Sequence, residues 1–185
     1  MATTFARLRI VLQHIRDNPD TSSVTALAAD VRRRRLMDFR VRGEGRGIED
    51  FMSESSIRRL IRLLQDLGLV SIDEREAIAL MPPGAPFLRS DTQYKAKIDT
   101  ATRTLLLNRG MSLVRVQAAI DRIQPPRAPD AATIFEEIST PDNLSTRDNL
   151  TPSLNSETFS RLLFLLACAG GLERTVHVHY HTMGT

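Results

Sequence analysis

Cysteine is almost missing from this chain. Cys168 is the only one, which excludes an intrachain disulfide and fits a reducing compartment. It lies in the apolar run from Leu162 to Gly170, where a small buried hydrophobe is the expected role rather than a catalytic thiol. Long apolar runs are lacking too: none approaches the roughly 18 residues of a membrane span. The first residues, MATTFARLRIVLQHIRD, have neither the apolar core nor the cleavage pattern of a signal peptide. A soluble, cytoplasmic protein with no membrane association is expected. Lysine is scarce, with Lys95 and Lys97 the only two among 25 basic residues. The arginine guanidinium is a planar fork suited to phosphates and guanine edges, although a GC-rich genome would produce the same bias.

Catalytic signatures are absent as well. There is no Walker loop, no GxGxxG after a strand, no HExxH, no GxSxG and no convincing carboxylate pair. Gly43-Glu44-Gly45-Arg46-Gly47 is too short and follows no strand. No enzymatic activity and no cofactor are expected. What is present is a chain of 185 residues, 42% hydrophobic and 25% charged, with net charge +3 and a pI of about 9.6. Such a composition suits one or two domains with real cores.

The most informative stretch is SESSIRRLIRLLQDLGLV, Ser53 to Val70. Ile57, Leu60, Ile61 and Leu64 recur at the spacing of one helical face, while Arg58, Arg59 and Arg62 project elsewhere. Ser53 is a natural N-cap and Gly68 stands where a left-handed residue would end the helix. Beyond Gly68 the period shifts towards two: Leu69 to Ile72, a charged tip Asp73 to Glu76, then Ala77 to Leu80, the pattern of a hairpin. Helix, glycine and hairpin in this order resemble the last helix and wing of a winged helix-turn-helix domain.

Upstream, Phe5, Leu8, Ile10, Val11, Leu12 and Ile15 predict a helix over residues 4–17 that ends near Asn18-Pro19. His14 carries no partner signature. A second helix is expected after Thr21-Ser22-Ser23, with Val24, Leu27, Ala28 and Val31 inward, running into Arg32 to Arg35. Leu36 to Met52 then replaces the short turn of a compact helix-turn-helix with an insertion expected to be flexible and basic. Arg32, Arg33, Arg34, Arg35, Arg40, Arg42 and Arg46 fall within fifteen residues, against Asp38 and Glu44. A solvated charge run, a surface for an acidic partner and a clamp on a phosphate backbone all fit this cluster. With only Phe39 and Phe51 nearby, a base-stacking platform for single strands is disfavoured against duplex DNA.

Pro82 to Pro86 breaks the pattern and predicts a boundary, giving units 1–85 and 86–185. Two scaffold helices follow: one from Ser90 to Gly110 with Asp91 available as cap, and one from Met111 to Gln124. An internal repeat then emerges. A shift of 102 residues places Ile57 on Phe159, Leu60 on Leu162, Ile61 on Leu163, Leu63 on Leu165, Leu64 on Leu166 and Gly68 on Gly170. Asp130 to Ile138 stands for the second helix, Ser139 to Asn155 for the insertion and ERTVHVHYHT for a wing strand. In this copy Arg58 and Arg62 become Ser160 and Phe164, so its helix, from Ser156 to Ala169, suits packing better than DNA. His177, His179 and His181 would share one strand face, about 7 Å between successive side chains. With no acidic or cysteine partner beside them, the wet face of a terminal strand is preferred over a metal site.

The expected architecture is therefore mainly α with small β-hairpin wings, two winged-helix-like units in tandem. The resemblance implies a non-enzymatic protein that binds duplex DNA, a transcriptional regulator or an accessory subunit of a DNA-processing assembly, and a homodimer is expected. The candidate contacts are Arg32, Arg33, Arg34, Arg35, Arg40, Arg42, Arg46, Ser55, Arg58, Arg59 and Arg62. The layout is also similar to the tandem winged-helix subunits of bacterial condensin-type complexes. That likeness implies a scaffold whose second unit holds a protein partner.

Overall fold

Helix α1 (Thr4–Asp17) begins the chain and buries Leu8, Val11, Leu12 and Ile15 along one side. The computed structural model describes residues 4–19, 23–37, 39–40, 49–50, 53–123, 129–139, 154–174 and 180–181. Among them are seven α-helices and three two-stranded antiparallel ladders. None of these helices is long and apolar enough to cross a membrane. The chain divides into two compact units, residues 1–94 and 95–185.

In the first unit, α2 (Val24–Arg33) starts at Ser23, whose Oγ accepts from the Ala26 N–H at 3.1 Å. The helix stops inside the arginine run instead of passing through it. Arg35 takes φ +53°, while Arg35 N donates to Arg32 O and Leu36 N to Val31 O. This pair of bonds is a Schellman ending, here with arginine in the left-handed position, and it turns Met37 into the core at 2% exposure. The insertion that follows contains a short ladder. β1 (Phe39–Arg40) pairs antiparallel with β2 (Glu49–Asp50), Phe39 opposite Asp50. Residues 41–48, with Arg42 and Arg46, lie outside the described residues.

Helix α3 (Glu54–Asp66) has the expected ends. Ser53 Oγ accepts from the Ser56 N–H at 3.2 Å. Gly68, at φ +65°, completes a second Schellman ending: Gly68 N donates to Gln65 O and Leu69 N to Leu64 O, both at 2.9 Å. Leu64 and Leu69, the positions whose hydrophobic contact commonly accompanies this motif, are both fully buried. β3 (Val70–Ile72) and β4 (Ile78–Leu80) form the hairpin, Ser71 opposite Ala79. Its tip is folded by Asp73, whose Oδ1 accepts from the N–H groups of Arg75 and Ala77 at 2.8 Å each. Ser23 adds an antiparallel bridge to Ala77. Helices α1, α2 and α3 pack on one another, and α1 also packs on β4.

A 3-10 turn, Pro86–Arg89, buries Phe87 and Leu88, and the first unit continues into the start of α4 (Asp91–Asn108). Ser90, not Asp91, caps this helix, its Oγ accepting from the Gln93 N–H. Asp91 instead pairs with Arg9. Tyr94, fully buried, donates from its hydroxyl to Phe5 O at 2.7 Å and lies 4.8 Å from the Phe5 ring, with the Arg9 guanidinium over its face. These contacts carry the first unit past the proline-rich break at which a boundary was expected.

The second unit is helical with one small antiparallel ladder. α5 (Leu113–Arg122) is capped by Ser112, α6 (Ala131–Ser139) by Asp130, and α7 (Ser156–Ala169) by Asn155, which occupies the place of Ser53 in the 102-residue shift. Gly170 ends α7 at φ +91°. Helix α6 packs on α5 and on α7, and α5 on the last strand, matching α1 on β4. That strand belongs to a hairpin: β5 (Glu173–Arg174) pairs antiparallel with β6 (Tyr180–His181), Glu173 opposite His181. Of the three histidines expected on one strand face, His181 lies in β6. His177 and His179 lie outside the described residues, among which no group of three histidine, cysteine or acidic side chains could hold a metal.

Candidate nucleic-acid interface

The inward side of α3 is made by Ile57, Leu60, Ile61, Leu63 and Leu64, all buried. The helical period therefore sends residues three and four apart on the other side into solvent. Ser55, Arg58, Arg59 and Arg62 are all exposed. Arg58 and Arg59 have no hydrogen-bond or ion-pair partner among the described residues. Ser55 Oγ lies 2.9 Å from Ser53 Oγ, so the first turn carries a cluster of hydroxyls. Arg62 reaches two acceptors, Gln65 Oε1 at 3.2 Å and Glu76 Oε1 at 3.4 Å.

The arginine run at the end of α2 is brought beside this helix because α2 and α3 pack together. Arg32 Nη1 stands 3.4 Å from Glu54 Oε1 in the first turn of α3. Arg33 and Arg34 both turn back to Asp30, Arg34 through Nε at 2.9 Å. Arg35 is exposed in its left-handed position. Arg40 is in β1.

Asp30 is the centre of a network that its sequence context did not advertise. Its Oδ2 lies 2.8 Å from His14 Nε2, and both residues are buried. His14, which carries no partner signature along the chain, has its partner in space. Asn18 Nδ2 donates to His14 O at 2.9 Å and lies 3.2 Å from His14 Nδ1. A carbonyl can only accept, so the amide presents its NH2 there, and its second hydrogen suits an acceptor at Nδ1. That leaves Nε2 to donate to Asp30. Hydrogen bonding from Arg33, with further help from Arg34 and His14, holds the Asp30 carboxyl below the usual carboxylate range, against the desolvation that would raise it.

Spacing could have revealed part of this. Asp30 stands three and four residues before Arg33 and Arg34, the distances at which helical side chains meet. Glu76 carried no comparable signal, since it reaches Arg62 only because the hairpin folds back on α3. Its own conformation is unusual, φ +60°, and its carbonyl accepts from the Val24 N–H at 3.1 Å. Chemically, the face of α3 and the end of α2 offer guanidinium forks, hydroxyls and a helix N-terminus, all suited to anionic oxygens. No family model, curated protein or solved structure matches this chain.

Proposed function

We propose that this protein binds duplex DNA through its first unit, in a tandem winged-helix architecture. The observation that carries the reading is the contrast between equivalent helices. On α3, Arg58 and Arg59 are exposed and have no charge partner among the described residues. On α7 the equivalent positions are Ser160 and Arg161, and Arg161 is held by Glu157 one turn back. Position 157 corresponds to Ser55, so the first copy has a serine where the second has the neutralising carboxylate. An exposed charged pair on a well-packed helix suits contact with phosphates or base edges.

In this reading α3 enters or borders the major groove with Arg58, Arg59 and Arg62. The run Arg32 to Arg35 and the insertion with Arg40, Arg42 and Arg46 hold adjacent phosphates or a minor groove. The bridge between Ser23 and Ala77 supports the winged-helix assignment, because it adds the segment before α2 to the edge of the wing. Fluorescence anisotropy with a labelled duplex tests the proposal. Binding should weaken steeply as salt rises, and neutralising Arg40, Arg42 and Arg46 together should flatten that dependence. Absence of binding at low salt would sink it.

A second reading, a scaffold that grips a protein through its second unit, is favoured by Leu107 and Val114, which are 62% and 72% exposed. Replacing both with serine should release such a partner without changing DNA affinity. For the proposed homodimer, light scattering should give the mass of two chains.

A further inference from the structure

We infer that Glu54 and Glu76 are built-in counter-ions of the DNA-binding face, holding Arg32 and Arg62 in the free protein and giving them up to phosphates on binding. The inference rests on the DNA-binding reading and adds to it how four arginines of the site are kept in the free state. Arg32, Arg33, Arg34 and Arg62 all have carboxylate partners within the chain, but the partners are of two kinds. Asp30 is buried, bonded to His14 and to two arginines, and belongs to the packing of α1 on α2. Glu54 and Glu76 are partly exposed, at 39% and 47% of their side chains, and each meets one guanidinium at 3.4 Å.

Exposed pairs of that length contribute little to folding and are easily exchanged. A phosphate offers the guanidinium shorter, bidentate bonds and releases condensed counterions. The two glutamates nonetheless sit where the fold places them. Glu54 occupies the first turn of α3, where a negative charge is favoured by the helix dipole. Glu76 is fixed through its backbone, donating from N to Asp73 O and accepting from Val24 N, so its carboxylate is presented to Arg62 and to Thr25 Oγ1. The arrangement screens the arginines when no DNA is present and keeps their side chains extended towards the place a phosphate would take.

The experiment is a pair of mutant cycles read by duplex binding at low salt. Glu76→Gln keeps the backbone bonds and should tighten binding by about three- to tenfold. Glu74→Gln removes the same charge from the same hairpin tip, and should change binding less than twofold, on the order of a screened exposed charge. In an Arg62→Gln background the gain from Glu76→Gln should vanish. Glu54→Gln should behave in the same way towards Arg32. Wild-type binding with Glu76→Gln no tighter than Glu74→Gln, or a gain that survives Arg62→Gln, overturns the counter-ion role alone. Failure of the wild type and every variant to bind overturns the DNA-binding reading beneath it.

Discussion

Helices α3 and α7 share one apolar frame and differ in what stands outside it. Ile57, Leu60, Ile61, Leu63 and Leu64 have their counterparts in Phe159, Leu162, Leu163, Leu165 and Leu166, and every one of the ten is buried. Both helices end on a left-handed glycine and lead into a hairpin. Outside the frame, α3 carries Ser55, Arg58, Arg59 and Arg62 where α7 carries Glu157, Ser160, Arg161 and Phe164. Packing demands are met equally well by both sets. Among the described residues Arg58 and Arg59 have no charge partner, whereas Arg161 is held by Glu157, and this difference in local compensation separates the two helices.

The largest effects should test the shared frame. Leu64→Ala and Leu166→Ala remove fully buried side chains at equivalent positions and should each lower the stability of their own unit by about 2–5 kcal/mol in urea unfolding. Costs differing severalfold would break the equivalence. Next in size, Arg58→Gln with Arg59→Gln should weaken duplex binding by about 10- to 100-fold and flatten the salt slope by nearly two, at about 0.9 per lost phosphate contact. Arg161→Gln, already compensated by Glu157, should leave binding unchanged.

A smaller change sharpens the comparison from the other side. Ser55→Glu recreates on α3 the pairing of Glu157 with Arg161 and should reduce DNA affinity by roughly three- to tenfold while sparing the fold, since exposed helical pairs are energetically small. Tighter or unaltered binding would show that local compensation does not govern this face. The smallest effect concerns Asp30, whose buried pair with His14 ties α1 to α2 in the first unit. Its depressed folded pKa means that its contribution is present above the unfolded value, about 3.9, and is lost as pH falls through the folded value below it. Asp30→Asn should therefore lower the melting temperature at neutral pH, and the gap to wild type should close on acidification through that range. A gap that widened in acid would contradict the assignment.

Much of this arrangement can be read along the chain wherever the cause is local. Capping by Ser53, the turn at Gly68 and the limits of α1 depend on residues within a few positions of one another. The 102-residue repeat is equally legible, because an apolar face that must be buried twice is written twice. The ending of α2 was not, since nothing marks Arg35 as a left-handed residue, and burial of Met37 accompanies it. The ladder of β1 with β2 escaped for a related reason: two residues on each side are too few to show a period.

Composition and periodicity by themselves determined the mainly helical character, the hairpin after Gly68, the shared apolar frame of α3 and α7 and the concentration of arginine near α3. These follow from which side chains can leave water together and which backbone positions need a cap or a glycine. Only the tertiary structure decided which arginines are already spoken for. Asp30 meets His14 from another helix, Glu54 meets Arg32 across the packing of α2 on α3, and Glu76 reaches Arg62 because a hairpin folds back over it. An ion pair depends on distance in space, and residues fourteen or twenty-two positions apart acquire that distance only when the core beneath them has formed.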